Sequence, residues 1–211
     1  MYQLPYFKEN DPAVVIDFMR KHPFAFLTGV DAVQRPVATQ LPVFTDQLDG
    51  ALLLSGHIMR NTDHYHAFLQ NAEALVVFSG PHSFVSASWY SDKKQGGTWN
   101  YMAVHARGTL RFLEEEALRS LLERTTDHFE ANPHSGANYK DLSEEYIARH
   151  LKAIVGFEIN VSSLENTFKL SQNRDDVSYQ NIEAELRKQG GDGAKIAAEM
   201  AKRPREKNNR E

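Results

Sequence analysis

The chain has 211 residues, 41% of them hydrophobic and 25% charged, with 24 Lys and Arg against 28 Asp and Glu. That is enough apolar material for one substantial core, so one domain with appendages is expected rather than two full domains. A formal charge of −4 supplies no global field toward nucleic acid or anionic membrane, and the absence of cysteine excludes disulfides, thiolate catalysis and thiolate metal sites.

A cysteine-free chain fits a reducing cytoplasm. Residues 1–10 mix aromatics with Lys8 and Glu9 instead of a basic region followed by an apolar run, and no stretch approaches the ~20 apolar residues that span a bilayer, so neither signal peptide nor membrane anchor is expected.

Asp11-Pro12 reads as a cap with proline at the first helical position, and Val14, Val15, Phe18 and Met19 recur at helical spacing, which predicts a helix over 12–21. The period then changes. A buried strand is predicted over 24–28, a turn at 31–34 and a second strand over 35–44, making a hairpin. After a turn at 46–50 come a third strand over 51–55 and a short helix over 62–70, capped by Asn61 or Thr62. Two more strands, 74–79 and 84–90, are joined across Gly80-Pro81-His82. The polar segment 91–97, with Gly96-Gly97, reads as a mobile loop before a long strand over 98–113. Glu114 opens a helix to about His128, a polar loop covers 131–139, a helix covers 142–152, and the last strand is 153–161. Seven strands with few, peripheral helices predict a mainly β antiparallel barrel or sandwich. From Val177 the pattern is helical and increasingly charged, with six basic and three acidic residues from Ala194 onward. A domain over 1–176 is therefore expected, followed over 177–211 by a helical, charged and partly disordered tail, with a DNA-contacting arm as the alternative.

Three segments carry polar chemistry. Ser55-Gly56-His57-Ile58-Met59-Arg60-Asn61-Thr62 is read as a strand end running through a glycine turn into a helix start. Arg60, His57, Asn61, Thr62 and the free N–H groups of that helix outline an anion site, and plain helix capping is the other reading. Both tryptophans of the chain fall in 81–105, flanked by Tyr90 and Tyr101, and fit either the wall of a flat-ligand pocket or core packing with a dimer contact. Phe168-Lys169-Leu170-Ser171-Gln172-Asn173-Arg174 packs two cations and two amides close together, as a ligand contact or as a polar connector. His64 and His66 do not share a helix face, the serines form no nucleophile elbow, and no phosphate-type glycine loop is present, so no catalytic residue and no metal is assigned.

In order along residues 1–175, these segments resemble the PaiB-type FMN-binding negative transcriptional regulators. The resemblance is carried by residues 2–7, Pro23-Phe24, Val37-Ala38-Thr39-Gln40-Leu41-Pro42, Gly56-His57 with Arg60-Asn61, and the 81–90 run. It continues through Thr98-Trp99-Asn100-Tyr101 with Val104-His105, Ala153-Ile154-Val155-Gly156, and residues 169–174. It implies an FMN-binding split β-barrel like that of pyridoxamine-phosphate oxidases, homodimeric, with flavin at the subunit interface. By resemblance Arg60, Asn61 and His57 face the phosphate, and the backbone around Ala38, Thr39 and Gln40 edges the ring. Trp89, Tyr90, Asn100 and Tyr101 line the interface side, and Lys169, Gln172, Asn173 and Arg174 close the pocket. Ala87 and Gly97 stand where the family usually has proline, so a looser loop is expected. The implied function is repression through promoter DNA or a partner protein. The alternatives are an FMN-dependent oxidoreductase or flavin reductase, and a flavin-free dimeric interaction protein.

Overall fold

The computed structural model describes residues 1–203; the end of the expected tail, 204–211, lies outside the described residues. Helix α1 (Pro12–Lys21) starts as Asp11-Pro12 predicts: the Asp11 carboxylate accepts from the Ala13 N–H at 2.8 Å, and Val15, Ile16, Phe18 and Met19 are buried on one stripe. Strands β1 (Phe24–Val30) and β2 (Pro36–Pro42) form the expected hairpin, with Phe24 opposite Pro42 and Val30 opposite Pro36. Asp31 organises the turn by accepting from the Val33 and Arg35 N–H groups, each at 2.9 Å.

Several strand boundaries differ from expectation. The stretch 35–44 is not one strand: Pro42 ends β2, the Val43 N–H donates back to the Pro23 carbonyl at 2.8 Å, and Phe44–Leu48 forms a separate strand, β3. The turn that follows shrinks to Asp49-Gly50, both at positive φ (49° and 83°), the two-residue geometry that suits a tight hairpin into β4 (Ala51–Met59). Gly56 therefore lies inside β4 and makes no turn. A Cβ there would sit 2.9 Å from both Leu41 and Phe157, so glycine answers a close approach. After helix α2 (Asp63–Gln70), the two strands expected over 74–79 and 84–90 are one, β5 (Glu73–Val85). Its register with β1 covers Leu75 to Val77, so Pro81 interrupts no β1 ladder. Residues Ala87–Trp89 form a 3-10 turn, which takes Trp89 and Tyr90 off the strand.

Strand β6 (Thr98–Phe112), helices α3 (Glu115–Glu130) and α4 (Glu144–Ala153), and strand β7 (Ile154–Lys169) follow. Strand β7 runs well past the expected end at 161, so Phe168-Lys169 is strand and not connector. Helices α5 (Asp176–Gln189) and α6 (Gly191–Lys202) complete the described chain. The sheet order is β2-β1-β5-β6-β7-β4-β3. Seven strands were expected and the described residues form seven, because one expected strand divides while two merge.

The chain divides into two compact units, Met19–Phe78 with His105–Leu164, and Met1–Phe18 with Ser79–Val104 and Glu165–Glu211. In the first, Leu27, Leu54, Phe157 and Ile159 have no exposed surface, and Leu118, Ile147, Leu151 and Ile154 form a further cluster under α3 and α4. In the second, α5 buries Tyr179, Ile182 and Leu186 while α6 buries Ile196, Ala197 and Met200, and the Tyr179 hydroxyl donates to the Met200 carbonyl at 2.9 Å. Residues 176–202 are thus two packed helices.

Candidate functional site

In the first unit the polar residues gather where β4 ends. Asn61 takes the left-handed conformation (φ 60°), which asparagine tolerates better than most residues, and reverses the chain into α2. Thr62 caps that helix, its hydroxyl oxygen accepting from the Tyr65 N–H at 3.3 Å and donating to the Met59 carbonyl at 2.9 Å. Arg60, half-buried, is held from three sides. Its backbone N–H donates to the Ala153 carbonyl at 2.8 Å, its Nε to the Ile154 carbonyl at 3.0 Å, and its Nη1 to the Tyr65 hydroxyl at 3.2 Å. All its partners are neutral oxygens, and among the described residues no carboxylate pairs with it. Of the other residues assigned by resemblance, His57 is half-buried on β4 opposite Gly156, and its burial lowers the imidazole pKa from the ordinary 6.5. Ala38 and Gln40 are exposed and share one face of β2, while Thr39 points with Val37 and Leu41 to the other. Strand β2 ends the sheet order, so one of its backbone edges pairs with no strand among the described residues.

The second unit assembles the remaining candidates. Lys169, the last residue of β7, donates from Nζ to the Trp99 carbonyl at 2.6 Å and to the Thr98 hydroxyl. Burial, and after it the nearby Arg174 charge, hold its pKa below the usual lysine value. The Arg174 guanidinium lies 4.0 Å from the centre of the Tyr90 ring and donates to the Gln95 side chain. Tyr90 is buried and its hydroxyl has no hydrogen-bond partner among the described residues. Gln172 turns back on its own segment, accepting from the Leu170 N–H at 2.7 Å, and Asn173 is half-buried beside it. Trp99 is 53% exposed, 5.9 Å edge-on from Phe84 and 6.1 Å from His82. Trp89 is half-buried, and its carbonyl accepts from Asn181 at 3.1 Å. Tyr101 is half-buried, its phenol pKa raised by burial and then by Tyr2. Asn100 differs from all of these. It has no exposed surface, and its amide is spent on the Ser171 hydroxyl at 3.0 Å and the Met200 sulfur at 3.8 Å.

The two family departures acquire local reasons. A Cβ on Gly97 would lie 2.6 Å from the Phe84 ring, so the glycine makes room for that aromatic. Ala87 sits in the 3-10 turn, where the Ser86 hydroxyl accepts from the Ser88 N–H at 3.2 Å. The loop after it is tied by Ser91, whose N–H donates to the Ser178 hydroxyl at 2.9 Å and whose hydroxyl donates to Asp175 at 3.1 Å. Thr98, Ser178 and Asp175 are not legible in the sequence because each acts through a partner more than 70 residues away, whereas Tyr65 meets Arg60, five residues earlier, only once the chain turns at Asn61. The one available signal is the position of Tyr65 in the first turn of α2, five residues after Arg60.

FMN makes two chemical demands. A phosphate needs a cation with unused N–H groups, which Arg60 has; a flat ring needs aromatic surface with polar neighbours, which Trp99 and Lys169 have.

The model of the family described as "Putative FMN-binding domain" matches residues 1–163. The chain is 32% identical over 200 residues to the Bacillus subtilis "Protease synthase and sporulation protein PAI 2", covering 95% of this chain and 96% of that protein. It is 23% identical to "Uncharacterized protein AN0679" of Emericella nidulans, covering 96% of each. Among solved structures, the FAD and heme binding protein from Mycobacterium smegmatis superposes with a TM-score of 0.59 at 19% identity, over 87% of this chain and 80% of that one. A putative 5-nitroimidazole antibiotic resistance protein from Bacteroides thetaiotaomicron superposes with a TM-score of 0.55 at 15% identity, over 75% and 84%. With its antiparallel strands, peripheral helices and colinear motifs, the chain belongs to the FMN-binding domain family, as a PaiB-type split β-barrel protein.

Proposed function

We propose that this chain is an FMN-binding negative transcriptional regulator of the PaiB type, working as a cytoplasmic homodimer. The observation that carries the flavin site is Arg60: a half-buried guanidinium fixed on neutral oxygens, with N–H groups to spare and no carboxylate among the described residues. Arg60 holds the phosphate, with Asn61 and His57 beside it. The outer edge of β2 at Ala38, Thr39 and Gln40 meets the ring. Trp89, Tyr90 and Tyr101 supply aromatic wall, and Lys169, Gln172, Asn173 and Arg174 supply polar closure, while Asn100, fully buried against Ser171, serves stability. When bound, FMN brings redox-active isoalloxazine chemistry; the chain's residues bind and orient it.

Support for the second copy comes from the outer face of the hairpin. Phe24 is 59% exposed and Phe26 41% exposed, two residues apart on β1 and opposite Pro42 and Gln40 of β2, an apolar stripe that association would cover. Among the described residues no helix is long and apolar enough to cross a membrane. Regulation acts through promoter DNA or a partner protein, and with a net charge of −4 a direct contact needs a local basic surface.

The test is a spectroscopic FMN titration of wild type and Arg60→Ala. Loss of a charged hydrogen-bonding group should weaken binding by about 1.5–3 kcal/mol, or on the order of 10- to 150-fold in Kd. An unchanged Kd places the phosphate elsewhere. Promoter binding that falls steeply with salt supports direct repression, whereas rapid NAD(P)H-driven bleaching of the bound flavin supports an oxidoreductase instead.

A further inference from the structure

Arginine carries five N–H donors on a long, flexible stem, so an anion site built on it gains from every contact that fixes the guanidinium beforehand. Arg60 has two such contacts. The Ile154 carbonyl takes Nε at 3.0 Å, and the Tyr65 hydroxyl takes Nη1 at 3.2 Å. Tyr65 is itself well placed. Its N–H is bound by the Thr62 cap, its ring lies 5.3 Å from Phe112 and 5.4 Å from His66, and the Arg60 guanidinium carbon is 5.9 Å from its centre. All of these residues belong to one compact unit. A phenol oxygen that accepts from arginine keeps its own proton, and among the described residues no acceptor receives it.

We infer that Tyr65 is a positioning residue for the phosphate: it aims the Arg60 guanidinium and offers its own O–H to the same anion. The inference rests on the assignment of the FMN phosphate to Arg60. Tyr65 joins that site although it lies in the first turn of α2, where the sequence shows only a helix residue. Its effect falls on the phosphate alone. It therefore contributes to discrimination between FMN and riboflavin, which shares the ring and lacks the phosphate.

The experiment titrates FMN and riboflavin into wild type, Tyr65→Phe, Arg60→Ala and the double variant, with thermal unfolding recorded for each. Phenylalanine keeps the ring contacts with Phe112 and His66. Tyr65→Phe should weaken FMN about five- to tenfold, the usual worth of a hydrogen bond, and leave riboflavin unchanged. In the Arg60→Ala background the same substitution should add less than about twofold, because the two residues act as a unit. Equal losses for FMN and riboflavin, or an unchanged FMN affinity while Arg60→Ala is impaired, overturn the inference about Tyr65. An FMN affinity indifferent to Arg60→Ala, or no FMN uptake by wild type, overturns the phosphate assignment and the inference with it.

Discussion

Asn100→Ala separates a residue that stabilises the fold from one that touches the ligand. Asn100 has no exposed surface, and Ser171, its hydrogen-bond donor at 3.0 Å, is 3% exposed. Alanine removes one neutral hydrogen bond, worth about 1 kcal/mol, and leaves the Ser171 hydroxyl buried without an acceptor, which costs about 1–3 kcal/mol. The contact of the amide with the Met200 sulfur, at 3.8 Å, adds little. The expected loss is about 2–4 kcal/mol, or roughly 5–15 °C in Tm for a chain of this size. Ser171 adopts φ 63°, so glycine there both removes the orphaned hydroxyl and relaxes the backbone. Asn100→Ala with Ser171→Gly should therefore be more stable than Asn100→Ala alone. The assay is urea and thermal unfolding followed by tryptophan fluorescence, with FMN titration well below the transition. FMN affinity should stay within about twofold of wild type, since a hydrogen bond that the ligand never receives contributes nothing to binding. A tenfold loss of FMN affinity with unchanged Tm would refute this reasoning and return Asn100 to the ligand.

Two further perturbations probe each unit. Burial lowers the His57 pKa, so between its folded value and the ordinary 6.5 the unfolded chain binds more protons; stability should rise with pH through that window and level off above it. His57→Gln should flatten that slope in denaturant midpoints measured from pH 5 to 7.5, and an identical slope would assign it to other groups. Ending the chain at residue 175 strips Ile182, Leu186, Ile196 and Met200 from the core and removes Ser178 and Asn181, the partners of Ser91 and Trp89. At about 1.5–3 kcal/mol for each large apolar side chain, the loss rivals the whole stability of a typical domain. The truncated chain should expose apolar surface to a hydrophobic dye and lose cooperative unfolding; a midpoint equal to wild type would show the two helices to be dispensable.

Where structure follows from neighbouring residues, the sequence was sufficient. Asp11-Pro12 starts α1, alternation marks the first half of β7, acidic residues open α3, and the colinear motifs around Arg60, Trp99 and Lys169 identify the family, because caps, periodicity and turn chemistry act within a few residues. Tertiary contacts decided the rest. Gly56 reads as a turn until Leu41 and Phe157 crowd it from other strands, and Gly80-Pro81 reads as a break until the short β1 ladder beside β5 makes proline harmless. The amide of Asn100 meets Ser171 and Met200, 71 and 100 residues away, a pairing that no local pattern announces. Tyr65 reads as an ordinary helix residue until Arg60 is held between its hydroxyl and the Ile154 carbonyl, 94 residues from Arg60. Local stereochemistry writes the elements into the chain; whether a polar side chain meets a ligand, a neighbour or solvent depends on partners that only folding brings within 3 or 4 Å.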